Sequence, residues 1–264
     1  MSLSLPLVPH LLSIVALNSS DRIMITKLVG AQYTAIYSIA YIITNIVTIL
    51  LDSMNKAWAP WLLDTLKVNN KADIRKTSTP YFLIFVGLLL GVLLFAPEIV
   101  WILGGDKYLE GIYVLPPLIV GCLYQFAYTM YVQLEFFEKK MKTVAVGTMI
   151  AALVNVGLNF VFIPIFGYIA AGYTTLVGYM LLFFIHYRTI CRYGYKDIFA
   201  RKIIFLALGS SILMLPVFIL IYMNTIIRYA VIIVYIGSLL YILMKYSKVI
   251  KEKFGRSGLS KRCL

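Results

Sequence analysis

The chain has 264 residues, 61% of them hydrophobic and only 13% charged, with a mean hydropathy of +0.89. Soluble domains run at about 45–50% apolar and about 25% charged, so a water-soluble globular protein is excluded, as is a disordered chain, whose apolar content is far lower. A net charge of +13 would raise nucleic acid as a partner of a soluble protein, but here the basic residues cluster between apolar runs, as at the cytoplasmic face of a membrane protein.

The expected class is therefore all-α, a polytopic α-helical membrane protein with membrane lipids and no nucleic acid around it. A bilayer core of about 30 Å takes about 20 apolar residues per helix. Eight stretches qualify: Leu3–Val29, Ala35–Ser53, Pro80–Phe95, Ile112–Leu134, Thr143–Ile163, Tyr168–Tyr187, Ile203–Tyr222 and Ile227–Met244. The first has no basic region before it and no small-residue cleavage site, so it reads as a membrane helix and not as a signal peptide. It also carries Asn18, Asp21 and Arg22. At about 100° per residue, His10, Ser13, Asn18 and Asp21 share one arc, bordered by Arg22. An ionisable residue at the centre of a membrane helix costs roughly 2.5–3.5 kcal/mol on insertion scales, so it needs a partner, a cavity or an escape. Two readings stand side by side: Arg22 lines a wet cavity and binds an anionic headgroup, or it snorkels to the outer interface beside a solvated Asp21.

The second stretch holds Asn45 and the fourth Gln125, each facing a cavity or bonding a neighbouring helix. Between the third and fourth, Ala96–Leu103 is amphipathic enough to lie at the interface. On the fifth, Asn155 and Asn159 continue a row begun by Gly147 and Ala151. Small and amide residues at four-residue spacing favour helix–helix contact over substrate contact. The rows Gly87–Gly91 and Ala170–Thr174–Gly178 are of the same kind.

Every second connection is basic. Lys56, Lys67, Lys71, Arg75 and Lys76 stand in Met54–Thr79, and Lys139, Lys140 and Lys142 follow the fourth stretch. Arg188, Arg192, Lys196, Arg201 and Lys202 follow the sixth, and the tail from Lys245 is basic throughout. The odd connections hold only Lys107 and Arg228. The positive-inside rule then puts both termini in the cytoplasm, with eight spans.

Enzyme motifs are missing from the sequence: it has no HExxH, P-loop or GxSxG. His10 and His186 stand on different stretches with no carboxylate partner nearby in sequence, and Asp106 with Glu110 reads as solvated surface. Cys122, Cys191 and Cys263 lack metal-ligand spacing and make no sensible disulfide set. No catalytic residue, metal or cofactor is expected.

Several patterns, in order, resemble one family. Leu5-Pro6 through Asp21-Arg22 to Gly30, with Ala35–Tyr41 after it, resembles the helix pair that opens the second lobe of bacterial oligosaccharide flippases. Asn55-Lys-Ala-Trp-Ala-Pro60 fits the end of that lobe's second helix, and Ile102–Tyr108 with Leu115–Leu118 the join of its third and fourth. Asn159-Phe-Val-Phe-Ile-Pro164-Ile-Phe-Gly167-Tyr-Ile-Ala-Ala-Gly172 is similar to the join of the fifth and sixth, although Ala170 stands where a second glycine is usual. The family belongs to the multidrug/oligosaccharidyl-lipid/polysaccharide exporter superfamily.

The resemblance implies a second-lobe six-helix bundle over residues 1–187, a basic connection over 188–202, an extra helix pair over 203–244 and a basic tail over 245–264. It also implies a substrate, the undecaprenyl-diphosphate-linked oligosaccharide repeat unit of O-antigen or capsule, and a bacterial cytoplasmic (inner) membrane location. Asp21, Arg22, Asn18, Asn45 and Gln125 are the substrate-path candidates, and Asn155, Asn159, Pro164, Gly167 and Gly172 the packing motif. Full members have two lobes, and only the second is matched here. The expected partner is therefore a separate N-terminal lobe or a second copy, because alternating access needs one bundle to move against another. A cation-coupled drug antiporter of the same superfamily and a non-transporting remnant or scaffold are the alternatives.

Overall fold

The structure, a computed structural model, describes residues 7–259, with side chains described for residues 11–245 other than Ala16 and Asn18. Helix α1 (Leu7–Leu28) turns into α2 (Ala31–Lys67) at Gly30, whose φ of 129° favours a residue without a Cβ. The Asn70 side chain caps α3 (Lys71–Leu94) by accepting from the Asp73 amide at 3.2 Å. A short α4 (Ala96–Gly104) and a 3₁₀ turn (Asp106–Tyr113) follow. The remaining helices are α5 (Leu115–Phe137), α6 (Met141–Phe166), α7 (Ile169–Arg192), α8 (Arg201–Met223) and α9 (Thr225–Leu259). No strand occurs among the described residues.

Among the described residues, seven helices are long and apolar enough to cross a membrane: α2, α3, α5, α6, α7, α8 and the Thr225–Lys245 part of α9. The chain is thus a polytopic α-helical membrane protein. The expected second connection, Met54–Thr79, is corrected to Val68–Asn70. α2 persists past its most apolar part because Trp58, Leu62 and Leu66 continue a buried stripe. Trp58 also stacks on Tyr81 of α3 with ring centroids 4.3 Å apart.

The chain forms two compact units, residues 1–219 and 220–264, so the division falls within α8. At the centre of the first unit α5 packs against α2, α3 and α7, and nearly all its residues are buried. α6 packs on α1 and α7. Enclosure runs opposite to hydropathy: α5 is the least hydropathic of the seven spans and the most enclosed, whereas α8 is the most hydropathic and poorly enclosed. A bilayer produces this order, because lipid-facing positions meet hydrocarbon while enclosed ones can carry paired polar groups. In the second unit, the Thr225–Lys245 part of α9 exposes apolar side chains such as Ile226, Val234 and Leu243.

The basic connections meet at one end of the first unit. Lys71 stands over the Tyr195 ring at 5.5 Å, Lys140 over the Tyr193 ring at 5.0 Å, and Tyr195 donates to Glu138 at 2.6 Å. The turns after α2, α5 and α7 are therefore neighbours. At the other end Tyr33 stacks on Tyr168 at 5.5 Å, joining the first turn to the one between α6 and α7.

Candidate functional site

Asp21 is fully buried, and its carboxylate ties three other helices to α1. Tyr37 of α2 donates its hydroxyl to Oδ2 at 2.7 Å, and Thr175 of α7 donates to the same oxygen at 2.7 Å. Asn159 of α6 donates its amide to Oδ1 at 2.6 Å. The Thr174 hydroxyl donates in turn to the Asn159 carbonyl oxygen. Asn159 also donates to the Asn155 oxygen at 3.3 Å, which Ser20 of α1 reaches at 3.4 Å, and Asn155 donates to Thr175 at 3.4 Å. In a dry interior every such group needs a partner, and the hydrogen-bond donors to this carboxylate among the described residues are all neutral, with Arg22 acting on it only through its charge. The solvated reading of Asp21 does not hold.

Arg22, its neighbour, turns elsewhere. It is half-buried, with its guanidinium 4.5 Å from the centroid of the Tyr41 ring on α2, and Tyr41 in turn lies 6.2 Å from Tyr37. Arg22 makes no ion pair among the described residues. A guanidinium on an aromatic face is held in orientation while its donors stay free for an anion.

The other candidates are scattered. The His10 and Asn18 side chains lie outside those described. Asn45 is exposed on α2, while Gln125 is buried on α5. Asn155 and Asn159 are fully buried, so two residues read as packing and one read as substrate path belong to a single network. α6 runs through Pro164 and ends before Gly167, whose φ is 72°. Gly172 fills a close approach: a Cβ there would come within 3.1 Å of both the Pro117 and Val114 side chains. In the row Gly87–Gly91, by contrast, a Cβ at Gly87 would meet nothing within 4 Å, so that expected packing row is not a close contact there.

Sequence reasoning missed Tyr37, Thr175 and the hydroxyl role of Thr174, which it had counted only as a small residue. It also missed a second buried site. His186 of α7 has a carboxylate partner after all, Glu135 of α5, with Nδ1 2.8 Å from Oε1 and both side chains fully buried. Glu135 lies one residue beyond the expected fourth span. A lone histidine in one apolar helix and a carboxylate in the last turn of another were the available signal. No family model matches this chain, nor does any curated protein or solved structure.

Proposed function

We propose that this chain is the C-terminal lobe of a flippase moving undecaprenyl-diphosphate-linked oligosaccharide repeat units across the bacterial cytoplasmic membrane for polysaccharide biosynthesis. The order of motifs from Leu5 to Gly172 supports it, and one observation carries it: a half-buried Arg22 held on Tyr41 without a carboxylate partner among the described residues. Asp21 bonds to Tyr37, Asn159 and Thr175 and makes no direct pair with that cation, on which it acts only through its charge. The diphosphate would bind the guanidinium fork, the glycan would pass through a wet interior, and the polyprenyl tail would stay in lipid. The remaining cavity wall would come from another bundle, because one bundle must move against another.

In this reading α1 is an eighth span, its one fully buried charge satisfied from three sides, and the basic end of the bundle faces the cytoplasm with both termini. No covalent chemistry is involved. The Arg22 charge acting on Asp21 opposes cation binding there, which does not suit the alternative of a cation-coupled drug antiporter. The test is glycan export in cells carrying Arg22→Ala or Arg22→Lys. Arg22→Ala is expected to cut export at least tenfold at normal membrane abundance. Arg22→Lys should retain part of it, since it keeps the charge but loses the fork. Unchanged export in Arg22→Ala would remove the residue from the substrate path.

A further inference from the structure

Glu135 and His186 make one contact with each other, at 2.8 Å, and each keeps a second polar atom. Glu135 Oε2 and His186 Nε2 are both buried and have no partner among the described residues. A pair that served packing alone would have these atoms satisfied, because an orphaned buried polar group costs about 1–3 kcal/mol. Moving the shared proton between Nδ1 and Oε1 does not cure this, since Oε2 and Nε2 stay unpaired in either arrangement. The surroundings therefore do not lock one protonation state, which is what a site that gains and loses protons requires.

The space around the ring is shaped for it. Gly147 of α6 faces the imidazole edge, where a Cβ would come 3.2 Å from Cε1 and 3.3 Å from Nε2. On another side Tyr128 of α5 stacks on the imidazole at 5.6 Å. Tyr128 also lines a cavity of about 330 Å³ with Asp52, Asn55, Lys56 and Gln133, near the basic end of the bundle. One aromatic ring thus separates a buried imidazole from an open polar cavity.

Titratable groups surround the pair from α5, α2, α7 and the residues that follow α7. α5 supplies Tyr128 against the imidazole and Tyr131, one turn before Glu135, with Glu138 one turn beyond it. α2 supplies Asp52, which acts electrostatically on Tyr128, and Lys56 beside it in the cavity. α7 supplies Tyr179, stacked on Tyr128, while Tyr187, Cys191, Asp197 and Arg201 reach Tyr131. α6 meets the ring with Gly147.

We propose that Glu135 and His186 form a proton-binding site, loaded past Tyr128 from the Asp52 cavity. Loading transfers one proton from water in that cavity to the pair. The Glu135 carboxylate with a neutral His186 becomes a net-neutral pair, and the reverse step returns the proton to water. The proposal needs only the pair and the cavity and does not rest on the transport reading.

The chain has two histidines, so His10→Gln leaves His186 as a single imidazole label. The experiment is ¹⁵N-histidine NMR of this full-length variant in lipid nanodiscs between pH 4.5 and 9. The ring nitrogens are expected to titrate within that range, with Glu135→Gln lowering the midpoint by at least one pH unit, a tenfold change. Asp52→Asn, at an exposed position, should slow ring N–H exchange with water several-fold. A ring that keeps one protonation state across the range overturns the proposal without any change at the site. So does a midpoint that Glu135→Gln leaves in place.

Discussion

At the scale of single residues, neutral donors hold Asp21. Three bonds of 2.6–2.7 Å converge on one carboxylate, so its loss is worse than the loss of any one donor. Tyr37→Phe removes a single hydrogen bond, and polar contacts between membrane helices average about 0.6 kcal/mol. Asp21→Ala instead leaves three buried donors facing nothing, at about 1–3 kcal/mol each. Thermal unfolding in detergent should therefore rank Asp21→Ala well below Tyr37→Phe, with Asp21→Asn between them because it keeps one acceptor. Equal midpoints for Asp21→Ala and Tyr37→Phe would mean that the network carries no stability. Tyr195, in the connection after α7, offers a pH test. Partial burial, and then the hydrogen bond to the Glu138 carboxylate, push its phenol up to about 12. A raised value means that the phenol form is favoured in the folded state. This contribution is present below the ordinary tyrosine range near 10 and is lost as pH rises through about 12. Difference absorbance titration of wild type against Tyr195→Phe should show the missing transition near 12, and a missing transition near 10 would refute the assignment.

At the scale of helices, small residues set how closely neighbours approach, and the glycines rank themselves. Gly172 abuts the Val114 carbonyl, which a Cβ would approach to 3.3 Å, as well as the Pro117 ring, and neither can yield without moving the start of α5. At Gly178 a Cβ would come 3.0 Å from a Leu17 methyl that can rotate away. Gly87 has open space, where alanine gains about 1 kcal/mol of helix propensity. The expected order of melting temperature is Gly87→Ala at or above wild type, then Gly178→Ala, then Gly172→Ala. A Gly172→Ala protein as stable as wild type would show that α5 and α7 are not in van der Waals contact there. The same logic explains α5, which can afford Tyr124, Gln125, Tyr128 and Glu135 because other helices shield it from lipid.

At the scale of the molecule, charge separates along the bundle. Lys71, Lys140 and Glu138 gather around Tyr193 and Tyr195 at one end, while Lys107 stands in the 3₁₀ turn between α4 and α5. Membrane-impermeant maleimide should therefore label Lys71→Cys and Lys196→Cys from one face and Lys107→Cys from the other. Labelling of all three from the same face would break the alternation on which the topology rests.

The membrane class, the approximate place of the second to eighth expected spans and the clustering of basic residues in the connections were legible in the sequence, whereas the first expected span, α1, is not among the helices apolar enough to cross a membrane. Each is a property of local composition: apolar length sets what crosses hydrocarbon, and Lys and Arg mark the ends. Arg22 and Asp21 were legible as costly residues, but their opposite fates were not. That Asp21 turns inward to Asn159, 138 positions away, while Arg22 turns onto Tyr41 depends on how α1 is rotated against α2, α6 and α7. The same holds for Glu135 and His186, separated by 51 positions and joined only because α5 and α7 pack face to face. The extension of α2 to Lys67 was hidden for a related reason, since its stripe is apolar only where α3 covers it. Composition fixes which segments leave water. Which polar groups meet inside is decided by helix rotation and contact, and those exist only in the tertiary structure.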